Sequence, residues 1–376
     1  MLTLTYRKGR LQTMSRTPVQ NAPPKPGATR AKAATLADVA RIAGVVPMTA
    51  SRAINNSGYV GKEVREKVLA AARKLNYRPN LLARTLRGHV LHAVGIMLPD
   101  ISNPFSAELV EGMKQVLVPA GYAAFLATTR RSTEEEKASL LAFADHHVDG
   151  ILVATRGTQI GNKTIAEISG RGVPMVTVGR PVANSKVDCV AADHRKGAMD
   201  AVNHLLRLGH RRIAFLGIAP EDSDRLRRFQ GYAEALAEAG IPLRPEYIVG
   251  PQGGPDYATQ EDGYAGMRRL AALAEPPTAV FARNDYTAIG ALRAANELGL
   301  SVPGDIALAG FDNIPLAAFT NPPLTTVEQP IAEQGRCAAQ FLLDRIEGKS
   351  AKRREVCFPC QLVVRGSTDP RGDADA

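Results

Sequence analysis

Cysteine and histidine are among the side chains of this 376-residue sequence that could hold a metal or act as nucleophiles. The segment Cys357-Phe-Pro-Cys360 has the spacing of a redox or metal half-site, but no second pair and no nearby histidine cluster accompanies it. We interpret both cysteines as incidental strand and turn residues. The sequence also lacks a Gly-x-Ser-x-Gly elbow and a phosphate-binding loop. We therefore predict a protein without catalytic activity, metal or cofactor, and the sparse cysteines indicate a reducing compartment.

Basic side chains that could bind phosphate are concentrated at the start of the chain, whose overall net charge is +10. Residues 1–90 hold 17 Lys and Arg against three acids, a net charge of +14, whereas the other 286 residues hold 30 against 34, a net charge of −4. The alternative explanation is a basic disordered tail. Residues 35–90 alone still hold ten basic residues against three acids. This asymmetry favours a nucleic-acid-binding head on a mildly acidic body.

Three short helices are predicted in the basic segment, after a polar, Pro-rich stretch over 1–34 that we expect to be a disordered tail. Thr35 can cap a first helix that ends at Gly44. Pro47 suits the first turn of a second helix, and a third runs from about Lys62 to Leu75. Two short helices joined by a tight turn and braced by a third form a helix-turn-helix unit.

The body alternates apolar runs with amphipathic helical patterns, which predicts parallel sheets covered on both faces. About 275 residues are long for one sheet, so we expect two α/β lobes with a ligand cleft between them. No apolar run reaches the roughly 18–20 residues of a membrane helix. The runs lie at 91–98, 122–127, 150–154, 173–178, 212–217, 278–282 and 305–310.

Residues 35–88 resemble the DNA-binding head of the lactose/galactose repressor (LacI/GalR-type) family of bacterial transcription regulators. The similarity includes the three helices and the Tyr-x-Pro-Asn-x-x-Ala-Arg-x-Leu segment that follows them. Later segments resemble the effector-binding domain of that family, among them NPFSAELVEGM (103–113), LGHRRIAFLG (208–217), FARNDYTAIGAL (281–292) and DIALAGFDNIPLA (305–317). The resemblance implies a small all-α head on a two-lobed α/β domain of the type I periplasmic-binding-protein-like fold.

The family pattern implies a helix-turn-helix domain over 35–78, a hinge helix and linker over 79–90 and an effector-binding and dimerisation domain over 91–366. Lobe one would comprise about 91–191 and 322–351, and lobe two about 192–321 and 352–366. Residues 367–376 would form a tail.

Contacts of the second helix with DNA follow from the same resemblance. Pro47 and Met48 occupy base-reading positions, where they can offer only apolar contact, for instance to a thymine methyl group. Arg52 could bind guanine through two hydrogen bonds, and its alternative role is a phosphate contact. The expected phosphate contacts are Thr49, Ser51 and Asn80. Val46 stands where the family usually has a capping Ser or Thr, at a cost of about 1 kcal/mol.

The segment 78–88 would form a hinge helix that folds only on the operator. The resemblance implies that Leu86 is inserted between base pairs in the minor groove and that Ala83 allows two hinge helices to approach closely. The alternative is an ordinary linker helix, with Leu82 and Leu86 packed on the body. Paired heads and hinges imply a dimer on a palindromic operator.

Effector contacts are assigned by resemblance to six residues near the cleft. Each has a structural alternative: for example, Asp285 is also a good helix N-cap, Arg228 could be a solvated charge, and Phe105 could belong to the core. Two arginines in the cleft suggest an anionic sugar derivative. The six residues are Phe105, Ser106, Arg180, Asp193, Arg228 and Asp285.

These features together predict a cytoplasmic, nucleoid-associated transcription repressor. It would bind operator DNA as a homodimer or tetramer and respond to a small metabolite, a sugar or sugar acid. The alternative is a sugar-binding transport protein of the same two-lobed fold. Such a protein needs an export signal, whereas the basic residues at this N-terminus precede no apolar segment.

Overall fold

The structure is a computed structural model that divides into two compact units, Met1–Ala83 and Arg84–Ala376. The described residues are 4–7, 10–13, 34–55, 57–77, 91–129, 132–154, 159–183, 185–218, 227–250, 259–350 and 352–369.

The first unit contains the three predicted helices, α1 (Leu36–Ala43), α2 (Pro47–Asn55) and α3 (Lys62–Lys74). Thr35 begins α1 with a reciprocal capping box, because its hydroxyl accepts from the Asp38 N–H and Asp38 accepts from the Thr35 N–H. Gly44 ends α1 in the left-handed conformation, with φ of 68°. A small apolar core joins the helices through Val39, Ala40, Ala50, Ala53, Val68 and Ala71. The helix-turn-helix prediction is confirmed.

The first residues of the chain differ from our expectation of a disordered tail over 1–34. Leu4–Arg7 (β1) and Arg10–Thr13 (β2) pair as antiparallel strands. Two residues separate them in sequence, which is the length of the commonest hairpin connection. Thr5 and Tyr6 also have high β propensity, a local signal that the average composition of the segment conceals.

The second unit contains two six-stranded sheets, so the predicted two-lobed α/β architecture is confirmed. Lobe one has the all-parallel order β13-β7-β6-β5-β3-β4. Its strands are β3 (Ala93–Leu98), β4 (Ala123–Thr128), β5 (Gly150–Val153), β6 (Met175–Val178), β7 (Asp188–Ala192) and β13 (Glu355–Phe358). Its helices are α4 (Pro104–Leu117), α5 (Thr133–Asp145), α6 (Gln159–Gly170) and α11 (Ile331–Ile346).

Lobe two has the strand order β14-β12-β11-β10-β8-β9, parallel except for the antiparallel edge strand β14. Its strands are β8 (Ile213–Leu216), β9 (Ile248–Val249), β10 (Ala279–Ala282), β11 (Ala307–Asp312), β12 (Thr325–Glu328) and β14 (Gln361–Val363). Its helices are α7 (His194–Arg207), α8 (Arg227–Glu238), α9 (Gln260–Ala271) and α10 (Asp285–Glu297), with 3-10 turns at Pro245–Tyr247 and Pro315–Phe319.

The chain passes between the lobes three times, and two of the crossings differ from the expected boundaries. The first lies at Asp193, as expected. We expected 322–351 in lobe one and 352–366 in lobe two, but β12 belongs to the second sheet and β13 to the first. The second and third crossings therefore lie after Glu328 and after Phe358. Both strands are four residues long and partly polar, so their sheet is decided by long-range pairing rather than by local pattern.

The C-terminal boundary also lies further along the chain than expected, because residues assigned to the tail are buried in lobe two. The Ser367 hydroxyl donates to the Leu308 carbonyl at 2.6 Å, and the Thr368 and Thr325 hydroxyls lie 2.7 Å apart. Ser367 and Thr368 are thus part of the folded domain.

Buried apolar side chains lie on both faces of each sheet, as parallel sheets require. Helices α4 and α11 pack very closely over lobe one: a Cβ on Gly112 would lie 2.3 Å from the Ala332 carbonyl oxygen. Within the described part of the chain, no helix combines the length and the apolar character needed to cross a bilayer.

Candidate DNA-binding helix and ligand cleft

Helix α2 has one buried and one exposed face. Ala50 and Ala53 are buried against α1 and α3. Pro47, Met48 and Arg52 are exposed, and Met48 is 64% accessible. Burying the alanines therefore fixes the orientation that leaves the three predicted base-reading side chains open to a DNA groove.

The predicted phosphate contacts on α2 are only partly exposed. Thr49 and Ser51 are of intermediate burial, and the Ser51 hydroxyl accepts from the Asn55 amide at 3.3 Å. Val46 is exposed, and its carbonyl accepts from the Ala50 N–H at 3.1 Å, so it occupies the cap position without a capping side chain. Asn80, Ala83 and Leu86 lie outside the described residues, and their roles stay predictions.

Arg228 and Asp312 form an ion pair at the carboxyl end of the lobe-two sheet, where ligands of parallel α/β sheets bind. An Arg228 Nη2–H donates to Asp312 Oδ1 at 3.0 Å, and Nη1–H donates to the Arg283 carbonyl at 2.6 Å. The guanidinium carbon lies 3.8 Å from the centroid of the Phe311 ring. The two charged side chains are only 11% and 6% accessible. Arg228 is therefore held in place rather than solvated.

A glutamine from the second crossing connects this pair with the first crossing. Gln329 donates to Asp312 Oδ1 at 2.7 Å, and its Oε1 lies 3.2 Å from His194 Nε2. An amide oxygen can only accept, so His194 carries its proton on Nε2. Burial, aided by the Arg228 charge, lowers the pKa of His194 to about 3 and keeps it neutral. The ion pair is thus hydrogen-bonded directly to the second crossing and, through Gln329, to the first.

Asp285 does not belong to the cleft lining, in contrast to its predicted role. It is 0% accessible, its Oδ1 accepts from the Thr326 hydroxyl at 2.5 Å, and its Oδ2 accepts from the Ile314 N–H at 2.9 Å. The alternative role as N-cap belongs to Asn284, whose side chain accepts from the Thr287 N–H. Burial, followed by the charge of Asp312, raises the pKa of Asp285 to about 8.

Asp312 and Gln329 are the cleft residues that the sequence assignment missed. Asp312 ends β11 and Gln329 follows β12, at the same sheet edge as Arg283 after β10. A signal was present in the sequence: Asp285 and Asp312 come after the apolar runs 279–282 and 307–311. Only Asp285 was predicted to contact the effector.

The effector contacts predicted in lobe one differ in their burial. Phe105 is partly buried against the lobe-one core, whereas Ser106 is almost fully buried. Arg180 donates to the Asn162 amide oxygen at 2.7 Å. Burial lowers the pKa of Arg180, although the nearby charge of Glu136 acts in the opposite direction.

Asp193 lies at the first crossing, as predicted, and caps α7 by accepting from the Lys196 N–H at 3.0 Å. This hydrogen bond gives Asp193 a structural role whether or not it also contacts an effector.

One hydrogen bond joins the lobes beside these residues. The Tyr286 hydroxyl, at the start of α10, donates to the Ser102 carbonyl at 2.7 Å. Ser102 lies in the loop that leads into Asn103, whose side chain caps α4 at the Phe105 N–H. The lobe-one residues predicted to contact the effector are therefore close to the lobe-two helix that begins at Asp285.

Comparison with known proteins supports both units. Residues 35–80 match the model of bacterial regulatory proteins of the lacI family, and residues 202–368 match that of the periplasmic binding protein-like domain. The chain is 35% identical to the HTH-type transcriptional repressor CytR of Escherichia coli (strain K12), over 89% of this chain and 96% of that protein. The chain belongs to the lacI family of bacterial regulatory proteins. It is a DNA-binding transcriptional repressor.

Solved structures of other family members match this repressor over almost their whole length. A Lac repressor dimer bound to operator and the anti-inducer ONPF has a TM-score of 0.77 and 27% identity, over 90% of this chain and 99% of that one. A complex of the transcriptional regulator CelR with cellobiose has a TM-score of 0.66 and 33% identity, over 89% and 99%.

The Cys357-x-x-Cys360 segment of the repressor lies at the third crossing and runs from within β13 to the residue before β14. Burial raises the pKa of both thiols, that of Cys360 to about 12, so neither is activated as a thiolate. No group of three or more His, Cys, Asp or Glu among the described residues is placed to hold a metal ion. Cys357 lies in a strand and Cys360 in the connection that follows it, as expected for strand and turn residues.

Proposed function

We propose that the repressor acts as a homodimer that places two copies of α2 in neighbouring major grooves of a palindromic operator. The exposed α2 face supports this proposal, because it contains the apolar side chains of Pro47 and Met48 at the start of the helix and the Arg52 guanidinium further along it. Family membership adds to it, since the related Lac repressor is a dimer on its operator.

An open edge of lobe one supports the dimer independently. Strand β4 is exposed over Ala123–Leu126, and Phe125 and Leu126 are each 53% accessible. A strand at the edge of a parallel sheet that leaves apolar side chains in water favours pairing with another chain. We propose that a second copy covers this edge. The proposed hinge contacts of Ala83 and Leu86 depend on the same two-fold pairing.

Selection of bound sequences from a random DNA library tests the DNA-binding proposal. We expect wild type to select a palindrome, and Arg52→Ala to lose one guanine preference in each half-site at a cost of about 1–3 kcal/mol. Arg73→Ala removes an equal charge from exposed α3 and should keep the selected sequence. Selection of the same palindrome by Arg52→Ala would reduce Arg52 to a phosphate contact.

The proposed hinge has its own test. Leu86→Ala should weaken binding to the selected palindrome far more than binding to random DNA, because an inserted side chain acts only at the central step. An equal loss on both DNAs would contradict the wedge. Asn80→Ala should weaken binding to the palindrome and to random DNA equally, because a phosphate contact does not depend on sequence.

The cleft supports a hydroxyl-bearing metabolite, such as a sugar, as the effector. The ion pair of Arg228 and Asp312 presents both donors and an acceptor, which suits neighbouring hydroxyl groups. Asp312 already balances the Arg228 charge, and Glu136 lies near Arg180. These pairings weaken the sequence argument for an anionic ligand. The related regulator CelR has been solved with cellobiose.

We assign the effector contacts to Phe105, Arg180, Arg228 and Asp312, with Asp312 in place of Asp285. Effector binding would shift the lobes between arrangements that allow or prevent DNA binding. The protein would act by binding alone, without catalysis, on the DNA of the cytoplasmic nucleoid.

A thermal-shift screen with neutral sugars and sugar acids tests this assignment. A sugar that raises the melting temperature of wild type should have at least tenfold lower affinity for Arg228→Ala. Arg207→Ala, which removes an exposed charge from α7, is the matched control and should bind normally. Unchanged binding to Arg228→Ala would contradict this site. Sugar binding without any operator selection would favour the transport-protein alternative.

A further inference from the structure

We propose that Asp285 is a positioning residue, which fixes the turn Asp312–Ile314 and thereby sets the place of the Asp312 carboxylate without contacting the effector. The inference rests on the ligand site proposed above. It assigns to Asp285 a function different from the ligand contact that its sequence position suggested.

The turn has an unfavourable backbone conformation that something must hold. Asp312 has φ of 114° and Asn313 has φ of 53°, so two successive residues other than glycine lie at positive φ. Such conformations persist only where the surrounding structure fixes them, and they are frequent at ligand sites. The conformation of this turn determines where the Asp312 side chain meets Arg228.

Both N–H groups that follow Asp312 in the turn are held by one buried pair of side chains. The Ile314 N–H donates to Asp285 Oδ2 at 2.9 Å, and the Asn313 N–H donates to the Thr326 hydroxyl oxygen at 3.3 Å. The Thr326 hydroxyl in turn donates to Asp285 Oδ1 at 2.5 Å. Asp285 therefore receives, directly or through Thr326, the hydrogen bonds of both residues.

The neighbouring strands leave space for this carboxyl group. Gly310 lies two residues before Asp312 in β11, and a Cβ there would be 2.2 Å from Asp285 Oδ1. Thr326 pairs with Gly310 across the sheet, and Thr326 is fully buried. Gly310 and Thr326 thus enclose the Asp285 carboxyl group directly beside the turn.

An alternative is that Asp285 only satisfies buried hydrogen-bonding groups and has no influence on the turn conformation. The two roles differ in their dependence on Asn313. Glycine adopts positive φ without strain, so Asn313→Gly lowers the need for a clamp, although it also removes the 2.8 Å contact of the Asn313 side chain with Arg365. Only the positioning role makes the effects of Asp285 and Asn313 interdependent.

Thermal unfolding of the full-length protein at pH 7 tests this interdependence. We expect Asp285→Ala to lower the melting temperature by about 5 °C, because it leaves buried donors unpaired. Asp285→Asn, whose amide oxygen can still accept from the Ile314 N–H, should lower it by less than about 2 °C. Asn313→Gly should lower the melting temperature of wild type but raise that of Asp285→Ala.

Asp305→Ala is the matched control, because Asp305 holds a different turn by accepting from the Ser301 N–H at 2.7 Å. The effects of Asp305→Ala and Asn313→Gly should simply add. If the effects of Asp285→Ala and Asn313→Gly also add, the positioning role is wrong. If Asp285→Ala does not fold, Thr326→Val takes its place in the cycle and should show the same sign reversal with Asn313→Gly.

Crystal structures of Asp285→Ala and Asp285→Asn give the second readout. We expect the Asp312 carboxylate of the alanine variant to leave hydrogen-bonding distance of Arg228, and that of the asparagine variant to stay. An unmoved Asp312 in the alanine variant would overturn the inference. If Asp285→Ala does not fold, the structure of Thr326→Val is determined in its place. No measurement here uses a ligand. Failure of the ligand site would instead appear as unchanged sugar binding by Arg228→Ala.

Discussion

The Tyr286 hydroxyl donates to the backbone carbonyl of Ser102 at 2.7 Å, so a side chain of lobe two is bonded to the main chain of lobe one. Because the acceptor is a main-chain carbonyl, Tyr286 contributes the only side chain to this hydrogen bond. Ser102 is exposed and Tyr286 partly buried, which places the bond at the rim of the interlobe contact. A single bond at a rim can be made and broken as the lobes rotate.

We expect Tyr286→Phe to shift the ligand-free protein toward open lobes. The variant removes one hydrogen bond of about 0.5–1.5 kcal/mol and keeps the ring, which changes the ratio of closed to open forms by about two- to tenfold. Small-angle X-ray scattering should show a larger radius of gyration. Tyr264→Phe removes a comparable hydroxyl bond to Glu297 within lobe two and should leave the radius unchanged. Equal radii for Tyr286→Phe and wild type would contradict this role.

A buried charge cluster holds the returning chain on lobe one. Asp188 is fully buried and accepts from Arg345 at 2.6 Å and from Arg354 at 2.7 Å. Burial raises the pKa of Asp188, but the hydrogen bonds from both arginines outweigh it and keep the pKa below its usual range. The cluster joins β7 to α11 and to the segment before β13.

Asp188→Ala should therefore be strongly destabilising. Arg345 and Arg354, whose side chains are 14% and 23% accessible, would lose this buried anion, and breaking a buried ion pair costs about 3–5 kcal/mol. Urea unfolding measures the loss. Glu167→Ala breaks an exposed pair with Arg171 and should cost less than about 1 kcal/mol. Similar losses in the two variants would show that the Asp188 cluster contributes little to stability.

The N-terminus of α2 offers a stabilising substitution. The exposed Val46 cannot accept a hydrogen bond with its side chain, whereas a serine hydroxyl there can accept from the Thr49 N–H. We expect Val46→Ser to slow hydrogen exchange of the first α2 amides about fivefold, equivalent to about 1 kcal/mol. Val46→Ala, which cannot cap, should not slow exchange. Equal rates in both variants would mean that the helix start is already satisfied.

Local signals in the sequence predicted the helices of the head because each acts within one turn. Thr35 and Gly44 form the caps of α1 that their residue types favour, and Pro47 begins α2. The strands β12 and β13 were placed in the wrong lobes, because four-residue segments acquire their sheet only from distant partners.

The cleft was harder to predict than the fold for a related reason. Asp285 and Asp312 both follow apolar runs at the same sheet edge, and composition does not distinguish them. The difference comes from the backbone: Asp285 begins a helix and is enclosed beside Gly310, whereas Asp312 is placed by a turn at positive φ. Arg228 lies at this edge, and its pairing with Asp312 reduces the charge available to a ligand.

The buried Asp285 makes the stability of the repressor depend on pH in a predictable direction. Burial and the Asp312 charge raise its pKa to about 8, against the hydrogen bonds of Thr326 and Ile314 and the charge of Arg228. The ordinary pKa in the unfolded chain is 3.8. Between these values the folded state binds more protons than the unfolded state, so the free energy of unfolding falls as pH rises.

We therefore expect the melting temperature of wild type to fall between pH 5 and 8 relative to that of Asp285→Asn, which does not titrate. The slope is at most about 1.4 kcal/mol per pH unit, the value for one proton, and it should level off above the folded-state pKa. Comparing the two proteins cancels the groups that they share. Asp305→Asn, a change of an exposed carboxylate, should follow the wild-type profile. Parallel profiles for wild type and Asp285→Asn would show that Asp285 is ionised in the folded protein throughout this range.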